Sequence, residues 1–339
     1  MPFSITSYSG VNVLSITADT APSDMDTDGK TYVSGCLSHA AGANYSTDIQ
    51  SSTPFSQTYG YFEARCKLPT AAGSSKGMWP AFWMMPADGS STAEYDIFEV
   101  LGNAPTAIWQ TAHWNSYENQ LAYKYSGPDT STAFHTYGFQ WDANNIRWFV
   151  DGILTQTQPN YYNSAMYPMF DLAVGGSWPG EPDADTVFPA SMLIKYFYAY
   201  SGGTVTDLIM DNTDTTGVTI TGSWTASTST KGYYGSNYLH DGNTGQGTKS
   251  IRYTPTLSTS GSYQVFARWT ADTNRATNVP ISITSTSGTK TVYVNEQSNN
   301  GVWVYLGTYA FNSGTTGNLL ISNTGANGYV TADAVRFFK

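Results

Sequence analysis

The sequence predicts an all-β protein built from two β-sandwich domains. Aromatic residues make up 15% of the 339 residues, charged residues only 12%, and 32 residues are glycine. Such a composition is typical of strands joined by many turns, and its aromatic content argues against disorder. Apolar and polar residues alternate along most apolar segments, as strands require, and the first 200 residues show no clear helical period. A sandwich of sheets is therefore the expected architecture.

The boundary between the domains is predicted at Ser201-Gly202-Gly203-Thr204, a small-residue linker that follows a strand-like segment. Residues 1–203 then form the first domain and residues 204–339 the second, smaller one. Beyond the linker, Met becomes rare and Thr, Ser, Asn and Gly dominate. The second segment contains no acidic pair within a strand and no His/Cys cluster.

Strand-like segments follow one another through the first domain. Residues 134–141 and 146–150 form a predicted antiparallel hairpin, joined through Asp142-Ala143-Asn144-Asn145. The other predicted strands are residues 11–17, 32–38, 59–69, 94–99, 108–114, 170–174 and 192–200.

The charge balance restricts the partners of the protein. The formal net charge is −10 and no Lys/Arg cluster occurs, which argues against a nucleic-acid partner. No apolar run approaches the roughly 20 residues of a membrane span, so no membrane partner is expected. Aromatic residues in excess of charge fit a neutral sugar ligand, and we expect a monomer.

The N-terminal residues and the two cysteines bear on the compartment. Met1-Pro2-Phe3-Ser4 lacks the charged and apolar regions of a signal peptide. The composition still indicates a secreted protein, whose leader has been removed or which leaves the cell by another route. A Cys36–Cys66 disulfide would suit an extracellular protein, but free thiols remain equally open. No His complements the cysteines, so neither a metal site nor a cofactor is predicted.

One acidic stretch, Glu94-Tyr95-Asp96-Ile97-Phe98-Glu99, is the centre of the predicted site. Its other members are strand formers, and burying three carboxylates among them is costly without a purpose. Alternation places Glu94 and Asp96 on one face and points a regular Glu99 away. A one-residue bulge around Ile97-Phe98 would return Glu99 to the first face. A solvated, charged edge strand is the alternative interpretation.

Three carboxyl groups in one groove suit glycoside hydrolysis. Retaining glycosidases use two carboxyl groups about 5–5.5 Å apart, one as nucleophile and one as acid/base. Two pleat repeats span about 13 Å of backbone, a gap that two long Glu side chains leaning together can close. Asp96, between them, is placed to hydrogen-bond the nucleophile.

Five motifs in the same order make residues 31–200 resemble glycoside hydrolase family 16, the laminarinase-type endo-glucanases. They are Tyr59–Arg65 (YGYFEAR), Trp79–Trp83 (WPAFW), Glu94–Glu99 (EYDIFE), Phe139–Trp141 (FQW) with Val150–Gly152 (VDG), and Ala173–Gly180 (AVGGSWPG). The resemblance implies a β-jelly-roll sandwich with a substrate cleft on its concave face, and retaining hydrolysis of β-glycans. The two residues between Asp96 and Glu99 match the bulged, laminarinase-like branch.

The resemblance also implies roles for the acidic residues and for a histidine. Glu94 resembles the nucleophile, Glu99 the acid/base and Asp96 the assisting carboxylate. His113 matches a family histidine one strand beyond the acids, where it would hydrogen-bond the sugar or the acids; a purely structural role is the alternative. Arg65 is expected to reach the cleft or else to form a structural ion pair.

Three tryptophans match aromatic positions at or near the family's cleft. Trp178 lies in a Gly/Pro loop, and we expect it to be a platform for a sugar ring. For Trp79 and Trp83, ordinary core packing is the alternative to sugar contact.

The chain departs from the family pattern at three positions. Asp171 lies in a segment where Asn is common, and an extra carboxylate there is expected to contact substrate and change specificity. Lys195 replaces an Asp that helps to bind a structural calcium ion, so we predict no calcium at that site. Cys36 stands where many members have Arg.

Residues 206–339 resemble the golvesin C-terminal-like, or xanthan-lyase-associated, domain. The motifs include Gly222–Trp224, Gly232–Tyr238, Tyr263–Trp269, Trp303–Tyr309 and Ala332–Phe337. The resemblance implies a β-sandwich appended to polysaccharide-active enzymes, with a suspected role in binding sugars or surfaces.

Together these features predict a secreted, endo-acting β-glycan hydrolase with an accessory β-sandwich. Its expected substrate is a polysaccharide, β-1,3- or mixed-linked β-glucan. A galactan hydrolase of the agarase or carrageenase kind is the alternative enzyme. A non-catalytic glycan-binding protein is the alternative from another class, although the presence of both Glu94 and Glu99 argues against it.

Overall fold

A computed structural model describes residues 2–25, 29–38, 49–50, 55–202 and 206–339, with the backbone alone for residues 49–50. The described residues form strands and turns and contain no helix, so none of them offers an apolar helix long enough to cross a membrane. Contacts divide the chain into two units, Met1–Gly203 and Thr204–Lys339. The all-β prediction is confirmed.

The first unit contains short and long strands in two sheets. Its strands are β1 (Phe3–Tyr8), β2 (Val11–Thr20), β3 (Tyr32–Val33), β4 (Cys36–Ser38), β5 (Ile49–Gln50), β6 (Gly60–Lys67), β7 (Met78–Pro86), β8 (Ala93–Val100), β9 (Ala107–Trp114), β10 (Asn119–Ser126), β11 (His135–Trp141), β12 (Asn145–Val150), β13 (Ile153–Pro159), β14 (Met166–Val174) and β15 (Ala190–Tyr200).

The two sheets pack face to face as a jelly-roll sandwich. One sheet has the order β1-β2-β15-β6-β11-β12-β13, with β3 beside β2, and the other has the order β10-β9-β8-β7-β14-β4-β5. A single buried cluster contains side chains from both sheets, such as Phe62 and Phe139 from the first and Phe82 and Phe98 from the second. Aromatic stacking reinforces it, with the Phe82 and Phe170 rings 4.4 Å apart. Because the core occupies the inner faces, the outer face of the β8 sheet is left for a site.

Two strand predictions can be compared directly with the structure. The predicted hairpin is confirmed as β11 and β12, which pair antiparallel with Tyr137 opposite Val150. The predicted strand at residues 32–38 is divided, because β3 pairs with β2 in one sheet whereas β4 pairs with β14 in the other. The chain changes sheets at Gly35, where a Cβ atom would lie 2.5 Å from the Phe3 ring.

The cysteines are thiols and no disulfide joins them. Cys36 lies on β4, opposite Asp171 of β14, whereas Cys66 lies on β6, in the other sheet. Burial raises the pKa of the Cys66 thiol. The sandwich core therefore separates the two cysteines.

Lys195 is exposed on β15, at a point where the pairing with β6 shifts by one residue. The expectation that its strand binds no calcium stays a prediction.

The second unit has strands and a core of its own. Its strands are β16 (Asp207–Asp211), β17 (Val218–Thr221), β18 (Thr225–Ser227), β19 (Tyr238–His240), β20 (Ser250–Tyr253), β21 (Gly261–Arg268), β22 (Val279–Ser285), β23 (Gly288–Val294), β24 (Val304–Phe311), β25 (Asn318–Ser322), β26 (Thr331–Ala332) and β27 (Ala334–Phe338). They form sheets of the order β16-β27-β21-β24, β17-β20-β25-β22-β23 and β18-β19-β26. Val265, Ile281 and Phe337 are among the side chains of its buried cluster.

Candidate active site

A bulge in β8 places three carboxyl groups on the outer face of the sheet. Successive residues Phe82 and Trp83 of β7 pair with Phe98 and Asp96, so Ile97 is the extra residue. On the other side, Asp96 pairs with Thr111 and Glu99 with Trp109, again with one residue too many on β8. The predicted bulge is confirmed.

The bulge separates β8 into a core side and a site side. Tyr95, Ile97 and Phe98 are fully buried in the sandwich core. Glu94, Asp96 and Glu99 point outward together, which a regular strand of this sequence would not allow. Burial of all three apolar residues requires the bulge, and the bulge in turn points Glu99 to the same face as Glu94 and Asp96.

An indole group from the opposite sheet holds the bulge. Trp148 of β12 donates its Nε1–H to the backbone carbonyl oxygen of Asp96 at 2.7 Å, and Trp148 is fully buried. A bulge takes backbone groups out of the strand ladder, and a buried carbonyl without a partner is costly. Trp148 supplies that partner from across the core.

Asp96 lies between Glu94 and His113. His113 Nε2 is 3.2 Å from Asp96 Oδ2 and 3.8 Å from Glu94 Oε1. Only 3% of Asp96 is exposed. Burial raises the pKa of Asp96 well above its usual range, and the Glu94 charge, a hydrogen bond with Glu94 and the Asp171 charge raise it further. Burial and the neighbouring carboxylates thus favour a proton on Asp96, within hydrogen-bonding reach of Glu94.

Glu99 is also protonated at neutral pH. Burial, followed by the charges of Asp96 and Glu94, raises the pKa of Glu99 to about 9. The indole of Trp79 donates a hydrogen bond to Glu99 Oε1 at 3.1 Å. This bond lowers the pKa of Glu99 but offsets only part of the rise. A protonated carboxyl group beside a second carboxylate is the pair that acid-catalysed glycoside cleavage requires.

Aromatic side chains flank the acids on both sides. Trp178, 42% exposed, packs edge-to-face against Trp79 at 5.1 Å and against Trp109 at 5.8 Å. On the other side, Trp83 donates its indole N–H to Asp171 Oδ1 at 2.8 Å. The site is therefore a polar groove with aromatic walls, a surface suited to sugar rings.

The structure brings most of the predicted site residues together on this face. Those that lie there are Glu94, Asp96, Glu99, Trp79, Trp83, His113, Trp178 and Asp171. Arg65 is the exception, and the expectation that it reaches the cleft is corrected. It lies on β6 in the other sheet, and alternation turns it to the outer face with Glu63, where it donates to Thr136 Oγ1 at 3.3 Å.

Sequence reasoning missed several residues of the site. Tyr117 donates to Glu94 Oε2 at 2.7 Å from the turn after β9. Glu181 accepts a bond from the Gly176 backbone N–H at 3.0 Å and, with Asp171 and the segment 29–36, lines a cavity of about 650 Å³. The turn-forming residues Asn115 and Ser116 were a signal for a loop near Tyr117, but nothing local indicated what that loop would touch.

Ligand atoms of Glu94, Asp96 and His113 lie within 4.8 Å of one another, a grouping that could hold a metal ion. It is the one such group among the residues that the structure describes. The same three side chains already approach one another closely, because His113 lies 3.2 Å from Asp96 and 3.8 Å from Glu94. The expectation that the enzyme uses no metal stays a prediction.

Carboxyl groups and tryptophans aligned on one sheet of a β-sandwich are an arrangement that suits glycoside hydrolysis. The chain belongs to glycosyl hydrolases family 16, which it matches over residues 12–189. Residues 208–339 match the Golvesin C-terminal domain. Both resemblances drawn from the sequence are confirmed.

Relatives of the two units come from different proteins. Xanthan lyase from Bacillus sp. (strain GL1) is 48% identical over 134 residues, which are 38% of this chain and 14% of that protein. Endo-1,3-1,4-beta-glycanase EglC from Rhizobium meliloti (strain 1021) is 35% identical over 205 residues, 59% of this chain and 40% of that protein. The chain thus spans less than half the length of either relative.

A solved structure is also similar to the first unit. The laminarinase catalytic domain from Thermotoga maritima MSB8 is 27% identical, with a TM-score of 0.49, and the match covers 59% of this chain and 81% of that one.

The role of Trp148 is testable with a matched control. Trp148→Phe should lower kcat for glycan hydrolysis by about 10²-fold, because the bulge that aims the acids loses its donor. Trp141→Phe is the control, since Trp141 is equally buried but donates to Asn160 Oδ1, which keeps its bond from Tyr95. Steady-state kinetics on variants shown to be folded make the comparison. Equal loss of activity in both variants would contradict the assignment.

The raised pKa of Glu99 predicts a stability change of defined sign. Between its usual value of 4.5 and about 9, the unfolded chain loses the Glu99 proton while the folded chain keeps it, so stability falls as pH rises. Glu99→Gln should therefore raise the free energy of unfolding at pH 7 by up to about 3 kcal/mol, measured by urea denaturation. At pH 4 the gain should vanish, and an equal gain at both pH values would exclude this cause.

Proposed function

We propose that the protein is a retaining, endo-acting hydrolase of β-glucan with β-1,3 or mixed β-1,3/1,4 linkages. The observation that carries the proposal is the grouping of Glu94, Asp96 and Glu99 on one face, with Glu99 largely buried, its pKa raised and its carboxyl group bonded by the Trp79 indole. An acid and a nucleophile are thereby distinguished by their surroundings, as retaining hydrolysis requires.

In the first step, Glu99 gives its proton to the glycosidic oxygen while the Glu94 carboxylate attacks the anomeric carbon. The bond to the leaving sugar breaks and a glycosyl ester forms on Glu94. Asp96 donates its hydrogen bond to Glu94 and holds the carboxylate in place. Trp79 keeps Glu99 directed by its bond to Oε1.

In the second step, Glu99 acts as a base. Esterification removes the negative charge of Glu94, one of the causes that raise the pKa of Glu99, so the pKa of Glu99 falls and Glu99, which gave up its proton in the first step, stays ionised. The ionised Glu99 takes a proton from water, which attacks the anomeric carbon and returns the electron pair to Glu94.

The lining of the groove supports a neutral glucan as the substrate. Asp171 and Glu181 line one cavity, and the charge of Asp171 reaches Asp96, so a sulfated galactan would be repelled there. The aromatic wall of Trp79, Trp109 and Trp178 suits the apolar faces of glucose rings. The name of the relative EglC, an endo-1,3-1,4-beta-glycanase, agrees with this substrate class.

A panel of polysaccharides tests the reaction and its alternatives. We expect the chain to release reducing sugar from laminarin or lichenan and none from agarose or carrageenan. Release from the galactans alone would favour the agarase or carrageenase alternative. Binding to a glucan without release would favour the non-catalytic alternative.

Variants of the two glutamates test the roles. Glu94→Gln and Glu99→Gln should each lower kcat by at least about 10³-fold, because each removes a covalent or proton-transfer step. Added azide should restore turnover of an activated aryl glucoside by Glu99→Ala and give the β-glucosyl azide, since attack on the ester needs no base. Near-normal activity of both Gln variants would refute the assignment. Tyr198→Phe, an exposed tyrosine of the opposite sheet, is the control.

We further propose that the protein acts outside the cell and that its second unit binds a glycan. A polymeric substrate supports the location, which detection of the chain in culture medium would test. Tyr293 of β23 is 69% exposed beside a cavity of about 370 Å³ that is also lined by Asn295, Ser298 and Tyr305. The similarity of this unit to part of a xanthan lyase supports a role with polysaccharides.

Retention on insoluble glucan tests the second unit in the full chain. In the Glu99→Gln background, Tyr293→Ala should weaken retention about tenfold, because an exposed ring that stacks on sugar contributes roughly 1–2 kcal/mol. Ile220→Ala, a similarly exposed apolar side chain of the same unit, is the control. Equal retention of all three proteins would exclude the cavity as the binding site.

A further inference from the structure

The turn between β9 and β10 is strained. Asn115, Ser116 and Tyr117 have φ angles of 55°, 54° and 66°, so three consecutive residues other than glycine adopt the left-handed conformation. Such residues usually occur singly, because the Cβ atom crowds the backbone. A run of three persists only where the surroundings require it, and strain of this kind clusters at functional sites.

Local bonds hold the turn in this conformation. The Ser116 N–H donates to the carbonyl oxygen of Thr92 at 3.2 Å, which ties the turn to the start of β8. The Asn115 side chain donates to Glu118 Oε2 at 2.6 Å. The turn is therefore anchored on the strand that carries the acids, and its geometry relative to Glu94 is defined.

The conformation of the turn places the Tyr117 hydroxyl beside Glu94. It lies 2.7 Å from Glu94 Oε2 and 3.5 Å from Met85 Sδ. A hydroxyl has one proton, and a carboxylate oxygen is a much stronger acceptor than a thioether sulfur, so the bond goes to Glu94. The ring also lies 5.4 Å from that of His113, and the side chain is 42% exposed at the rim of the groove.

We infer that Tyr117 is a further catalytic residue, whose hydroxyl stabilises the Glu94 carboxylate as it leaves the glycosyl-enzyme. The inference rests on the proposed function. Water attacks the anomeric carbon, its proton passes to Glu99, and the sugar–Glu94 bond breaks with its electron pair going to Glu94. The returning charge spreads over both carboxylate oxygens, and Oε2 then accepts a charge-assisted bond from Tyr117.

The same bond acts differently on the two halves of the reaction. Hydrogen bonds to an ionised acceptor are roughly twice as strong as bonds to a neutral one. Tyr117 therefore favours the carboxylate over the ester, so its charge-assisted bond speeds breakdown of the intermediate and does not stabilise the ester that the first step forms. In the first step, Tyr117 contributes only by fixing the orientation of the Glu94 carboxyl group. Without such a bond, the χ3 angle of a glutamate side chain takes a broad range of values. A residue that only supports the fold would affect both steps together.

The kinetic consequence separates these roles. In Tyr117→Phe, which keeps the ring against His113, kcat should fall about 10- to 100-fold, the loss of one charge-assisted hydrogen bond. KM should fall by a similar factor because the glycosyl-enzyme accumulates, leaving kcat/KM within a few-fold of the unaltered chain. The substrate is a dinitrophenyl β-glucobioside, whose good leaving group makes the first step fast.

Two direct measurements accompany the steady-state constants. Tyr117→Phe should show a pre-steady-state burst of dinitrophenol, and quenched samples should show a glycosyl adduct on Glu94 by peptide mass spectrometry. Tyr123→Phe is the matched control, because Tyr123 pairs with Gln110 and so faces away from the acids. It should show the burst, the rate of steady-state turnover and the KM of the unaltered chain.

The outcomes distinguish this inference from the proposed function. A fall in kcat/KM with no burst and no adduct would make Tyr117 a support of Glu94 position and overturn its role in the second step. Unchanged kinetics would remove Tyr117 from the reaction. Failure of the unaltered chain to cleave the glucobioside and the glucans would refute the proposed function itself.

Discussion

The site depends on one irregularity in a strand, the extra residue Ile97 in β8. Without it, the apolar residues of β8 and its third acid would compete for the same face. With it, Tyr95, Ile97 and Phe98 fill the core while Glu99 turns out beside Glu94 and Asp96. The bond from Trp148 to the Asp96 carbonyl links this irregularity to the opposite sheet. The same bulge thus determines both the packing of the sandwich core and the alignment of the acids.

The chemistry of the site follows from how little water reaches the acids. Burial is the largest cause of the raised pKa of both Asp96 and Glu99, and the neighbouring charges add to it. Hydrogen-bond donors then make the surroundings of the two glutamates different. Trp79 donates to Glu99, and Tyr117 donates to Glu94. Glu94 and Glu99 acquire different tasks because each has a different donor.

Much of the fold and the centre of the site could be predicted from the sequence, because both follow from short-range patterns. Alternation predicted the strands and the bulge, and the hairpin at Asp142–Asn145 was signalled by its turn residues. Features that depend on the packing of distant strands were not predictable. Arg65 has the same local pattern whichever sheet β6 joins, and the placement of Cys36 and Cys66 in different sheets depends on the change of sheet at Gly35. Tyr117 was missed because its contact arises from backbone angles that Asn, Ser and Tyr seldom adopt in sequence.

The raised pKa of Glu99 has a consequence for how such a domain changes over time. Glu99 keeps a proton that it would release in the unfolded chain, so at neutral pH it weakens the fold it belongs to. Substitution of Glu99 removes this cost, while the tryptophan walls of the groove remain. Drift in a duplicated copy therefore favours a more stable domain that keeps the aromatic groove and lacks the buried acid, and only selection for that acid opposes it.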